Sequence, residues 1–154
     1  MKKQSILLLT AAIFVFVNAC KDKEEEKKDN TPSKPRAELI SAKNWKISTL
    51  VSSGTDIWNT PFVAACNRDN QYKFRTDDSL VLFEMSNKCN STDPDSTVSS
   101  YKLYDNNTKI ILNVKLTSTT TLDDTANIIQ LDENTMKIDA EYSGLPATIT
   151  FIHP

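Results

Sequence analysis

What most restricts this chain is a period-two alternation of apolar and polar residues running from Trp45 to His153, broken every few residues by turn-forming side chains. Period two is the repeat of a β-strand, because successive side chains leave opposite faces. Trp45, Ile47, Thr49 and Val51 alternate with Lys46, Ser48, Leu50 and Ser52, and Tyr72 and Phe74 with Gln71, Lys73 and Arg75. Ser79–Met85 and Thr97–Tyr104 read as the next strands, with the polar loop Asn87–Ser96 between them. Ile110, Leu112, Val114 and Leu116 share a face, and Thr125–Leu131 follows. Met136, Ile138, Ala140 and Tyr142 then oppose Lys137, Asp139 and Glu141, and Ala147–His153 is the last strand. The breaks at 76–79, 105–107, 132–134 and 143–146 are rich in Asp, Asn, Ser and Gly. Such residues tolerate left-handed angles or bond their own backbone. One short helix is expected near Trp58–Ala65, with Pro61 in its first turn.

About eight strands with one apolar face each imply an all-β domain in which an antiparallel sheet wraps a single core. Mostly short connections suit an up-and-down barrel, since closure removes exposed sheet edges. A two-sheet sandwich shows the same alternation and stays open as the rival. The length of 154 residues is that of one domain, on the usual scale of roughly 100–200 residues.

Composition excludes several chemistries. Two glycines leave no material for a Gly-rich phosphate loop, and a single histidine, His153, cannot build a His-based triad or a multi-His zinc site. The net charge of −2 provides no electrostatic footprint for nucleic acid. The carboxylate pairs Asp77-Asp78, Asp93/Asp95, Asp123-Asp124 and Asp132-Glu133 all fall in expected turns or loops, where Asp commonly bonds nearby backbone. Asp93-Pro94-Asp95 with Asn90 offers oxygen ligands but lacks the spacing and central glycine of a calcium loop. Thr117–Thr121 reads as a polar connection. The expectation is a protein that is not an enzyme and carries no cofactor and no metal.

The N-terminal end carries a different signal. Met1-Lys2-Lys3 is positive, and Ile6–Val17 is apolar apart from Thr10. The run is short for a hydrocarbon core of about 30 Å, which takes about 20 residues, so 1–19 reads as a secretory signal peptide. Val17-Asn18-Ala19-Cys20 resembles the lipobox of bacterial lipoproteins. The resemblance implies cleavage before Cys20 and attachment of palmitate-type acyl chains to it, giving a membrane anchor. Residues 20–36 then form a charged tether without an aliphatic or aromatic side chain to bury. Its cluster Lys21-Asp22-Lys23-Glu24-Glu25-Glu26 resembles the surface-export signal of Bacteroidetes lipoproteins, which implies an outer-membrane, surface-exposed location. With Cys20 taken by lipid, Cys66 and Cys89 remain to pair as a disulfide in an oxidising compartment. The triplets Asp78-Ser79-Leu80, Asp95-Ser96-Thr97 and Asp124-Thr125-Ala126 resemble the acceptor for O-glycosylation in the same bacteria.

Within 37–154, five features recur together. They are Leu39-Ile40, Asn44-Trp45-Lys46-Ile47, Cys66 followed by Asp69-Asn70, Tyr72-x-Phe74, and Cys89 after the next hairpin. This set resembles the lipocalin-like domains of Bacteroidetes lipoproteins, a calycin-like β-barrel. The resemblance implies that Trp45 packs across the base of the barrel. Lys43 stands where classical lipocalins have a glycine, and no arginine follows Arg75 to stack on the tryptophan. Trp45, Tyr72, Phe74, Leu112, Met136, Ile138 and Phe151 lie on the apolar faces and are the candidate ligand-lining residues. The expected function is non-catalytic binding or interaction at a membrane surface, with an unknown protein or glycan partner. The alternative is carriage of a small apolar or amphipathic ligand inside the barrel. The segment Trp58–Phe62 either supplies contact anchors or plugs one barrel end.

Overall fold

The computed structural model describes residues 34–115 and 121–154; of 114, 115 and 121–123 it describes the strand alone. The expected signal peptide, Cys20, the expected tether up to residue 33, the Val114 side chain, Leu116 and the Ser/Thr run through 120 lie outside the described residues. A helix, α1 (Arg36–Ala42), precedes nine strands. They are β1 (Lys46–Ser52), β2 (Thr55–Asp56), β3 (Gln71–Phe74), β4 (Ser79–Phe83), β5 (Ser96–Tyr104), β6 (Lys109–Lys115), β7 (Thr121–Leu131), β8 (Thr135–Tyr142) and β9 (Leu145–Ile152). All pair antiparallel in one sheet of order β2-β1-β9-β8-β7-β6-β5-β4-β3. The expected strands are therefore present. The ninth, β2, folds back on β1 through Ser53 and Gly54, whose φ of 51° and 79° place both in the left-handed region.

The turns form where short polar residues accept positive φ. Asp105, Asn106 and Asn107 all do so between β5 and β6, and Asp78 and Ser143 do so at two other hairpins. At the β7–β8 turn the Asp132 carboxylate accepts bonds from the backbone N–H groups of Asn134 and Thr135, each at 2.9 Å.

The barrel is only approximate, because the sheet does not close. Its two edges meet at one point, where Trp45 and Tyr72 exchange backbone hydrogen bonds of 2.8 Å in each direction. The helix expected near Trp58–Ala65 is absent. That stretch runs as turns ending in a single 3₁₀ turn, Ala65–Asn67. The helix lies instead at Arg36–Ala42. Seven residues give too little length for helical periodicity to show in sequence, and so short a helix depends on packing. Here Leu39 and Ile40 are buried in the core, and Arg36 and Lys73 tie α1 to the sheet through the carbonyls of Ile128 and Ser41.

A register shift between Ile47 and Thr49 corrects the expected faces of β1. A β-bulge inserts one extra residue, so the inward set changes parity. Trp45 is buried before the bulge, while Leu50 and Ser52 are buried after it, in place of the expected Thr49 and Val51. A second shift between Ile128 and Gln130 turns Leu131 inward and leaves Ile129 exposed.

The main core fills the end of the barrel under α1. Trp45 is fully buried there, and its indole N–H donates to the Ile40 carbonyl at 2.8 Å. His153 packs against Trp45 where no arginine is available, its ring tilted by 37° and its centroid 4.1 Å from that of Trp45. The two His153 nitrogens face the carbonyls of Asn44 and Glu133, both at 2.7 Å. Phe74 and Tyr101 meet edge to face at 5.0 Å within the same cluster.

Candidate functional site

Opposite α1, the barrel interior opens into a cup of about 300 Å³. Phe74, Leu80, Leu112, Ile138 and Phe151 form its depth, and Ile47, Leu50, Leu82 and Ile149 its walls. These residues face inward because strand alternation places every second side chain on the core face. The volume lies at the lower end of the roughly 300–1,000 Å³ of small-molecule sites.

The roof is the crossover from β2 to β3. Trp58 and Val63 are buried in a second cluster with Leu50 and Ala147, so this segment covers one end of the barrel as a plug. Several bonds hold it in place. The Asp56 carboxylate accepts from the N–H groups of Leu50 at 3.2 Å and Trp58 at 3.0 Å. The Arg68 guanidinium donates to the carbonyls of Thr60 at 2.8 Å and Val63 at 2.9 Å. The Tyr142 hydroxyl donates to the Phe62 carbonyl at 3.3 Å. The expected Cys66–Cys89 disulfide is present and joins the roof to the β4–β5 loop. Phe62 itself points away from the cup and is 78% exposed.

Of the seven candidate lining residues, Tyr72, Phe74, Leu112, Ile138 and Phe151 come together around the cup. Trp45 and Met136 do not line it and are fully buried. β1 enters at the α1 end, where the indole is covered by the helix and His153. Met136 sits opposite Phe151 near the same end of β8. Tyr72 meets Phe151 edge to face at 5.8 Å, and burial pushes its phenol up to about 12.

Polar groups of the lining were not visible as such in the sequence. Asn70 is only 3% exposed, and its Oδ1 has no hydrogen-bond partner. Asp123-Asp124 is not in a turn, contrary to expectation. Asp124 lies within β7, paired with Leu112, two residues from buried Ala126 and four from buried Ile128. It therefore lines the cup, with Glu141 and Tyr142 of the neighbouring strand. Its Oδ1 accepts from the N–H of Thr125 at 2.7 Å and its Oδ2 from that of Glu141 at 3.2 Å. The period-two series Asp124, Ala126, Ile128 was the available signal.

The other carboxylates serve local structure. Asp77 bonds the hydroxyl and N–H of Ser79, which holds its carboxyl below the usual range. Asp93 accepts from Asn90, and Asp95 pairs with Lys88 at 2.6 Å. Among the described residues no group of three His, Cys, Asp or Glu side chains could hold a metal ion.

The model of a family described as the lipocalin-like domain matches residues 42–138, which include β1 through the first half of β8. No curated protein matches the chain.

Proposed function

We propose a binding role for this chain, which belongs to the lipocalin-like domain family: it holds a small apolar or amphipathic ligand in the cup beneath Trp58. The carrying observation is the cup itself. A barrel interior filled by its own side chains would leave no such volume, whereas here large residues line an apolar space under a covalently fastened roof. The chain acts by binding, without catalysis. Its place is the outer membrane, held by lipid on Cys20 with the charged tether between anchor and domain.

The full chain carrying Cys20→Ser, prepared without detergent, tests the binding reading. Native mass spectrometry should show an added small-molecule mass that disappears on denaturation. Octanol should quench Trp58, which lines the cup, and the quench should vanish in Trp58→Phe. A bare protein mass together with no octanol response would refute the reading. The anchor is tested separately: Cys20→Ser should move the chain from the membrane to the soluble fraction, and unchanged membrane retention would refute it.

Phe62 favours a second reading, in which the roof meets a protein or glycan partner. A large aromatic side chain in a braced loop, 78% exposed, is the type of residue that anchors interfaces.

A further inference from the structure

We infer that the cup selects amphiphiles whose head is a positively charged amine over those whose head is a carboxylate. This rests on the binding reading above and adds the class of ligand. Among the described residues lining the cup, Asp124 and Glu141 are the charged ones, and both are acidic; Asp124 shares the inward face of Ala126 and Ile128, whereas Glu141 is exposed and has the outward parity of Lys137 and Asp139. The nearest cation of the roof, Arg68, does not line the cup and is committed to the Thr60 and Val63 carbonyls.

An inward-facing carboxylate on an apolar strand face is costly unless something compensates it. The two backbone N–H bonds to Asp124 do so in part. Each carboxylate oxygen keeps further acceptor capacity. Asp124 therefore offers the cup acceptor capacity, and an ammonium group carries only donors, whereas a carboxylate carries only acceptors. A carboxylate head would also meet Asp124 as a like charge. The apolar walls take the alkyl body, and the charged head stays near the mouth, where water reduces its desolvation cost.

The cup equals about ten water volumes of roughly 30 Å³ each, so ligands of about ten heavy atoms match it. Octylammonium, octanol and octanoate share a body and differ in the head. Their affinities for the full chain with Cys20→Ser can be compared at neutral pH and low salt by calorimetry. Octylammonium should bind at least tenfold more tightly than octanoate, with octanol between them. The gap should narrow as salt rises, since screening weakens a partly exposed charge interaction. Asp124→Asn should bring octylammonium and octanoate within threefold, and Glu141→Gln should narrow the gap by less. Asp105→Asn removes the same charge from the β5–β6 turn, where Asp105 pairs with Lys109, and should leave the gap intact.

Equal affinities in the unaltered protein, or a preference for octanoate, would overturn the inference while leaving the cup in place. A gap that survives Asp124→Asn would overturn it too. If Asp124→Asn fails to fold, seen as loss of octanol binding as well, Glu141→Gln and the salt dependence decide in the same sense. Failure of all three ligands to bind would remove the binding reading along with it.

Discussion

Replacing Trp45 by Phe tests how the barrel floor is built. The indole N–H donates to the carbonyl of Ile40, which is fully buried, at 2.8 Å. Phenylalanine has no donor, so that acceptor is stranded; an orphaned buried polar group costs about 1–3 kcal/mol. The smaller ring also leaves a void beside Ile40 and His153. At about 24 cal/mol per Å³, a void of a few tens of Å³ adds roughly 1 kcal/mol. The expected loss is about 2–4 kcal/mol. With a urea slope of about 1–3 kcal/mol/M, the midpoint should fall by about 1–2 M. Urea unfolding of the full chain with Cys20→Ser, followed by circular dichroism, gives this number directly. Octanol affinity should be unchanged, because Trp45 does not line the cup. A loss below 1 kcal/mol, or a loss of octanol binding without one of stability, would refute this account of the floor.

Two further outcomes follow from the same packing. Burial raises the Tyr72 phenol to about 12, so the folded protein holds that proton where the unfolded chain, near 10, has released it. Stability from this group is complete below pH 10 and falls as pH rises from about 10 to 12, by about 2–3 kcal/mol in all. Urea midpoints at pH 9.5 and 11.5 should therefore differ less in Tyr72→Phe than in the unaltered chain, and an equal pH dependence would contradict the burial. Removing the disulfide with Cys66→Ala and Cys89→Ala should cost about 3 kcal/mol, from the entropy of a loop of about two dozen residues. Because the bridge fastens the roof, octanol affinity should fall with it; unchanged affinity would show that Asp56 and Arg68 hold the roof alone.

Much of this architecture was legible from local chemistry. Period-two alternation identified the long strands, and Asp, Asn, Ser and Gly marked the turns that adopt positive φ. Counting cysteines paired Cys66 with Cys89. Five of the seven lining candidates were also found, because inward faces are simply the apolar ones.

Tertiary structure decided the rest. The bulge after Ile47 is set by cross-strand hydrogen-bond register, which no window along one strand contains, and it exchanged Thr49 and Val51 for Leu50 and Ser52 as inward residues. The seven-residue helix exists because Leu39 and Ile40 find a core to enter. Whether the sheet closed depended on two edges distant in sequence, and among the described residues they pair only at Trp45 and Tyr72. Asp124 looked like a turn residue beside Asp123, and only its pairing with Leu112 turned it into a charge on the wall of the cup. Alternation says which side chains point inward. Whether they meet or leave space between them depends on barrel girth and on the roof, and both are properties of the whole sheet.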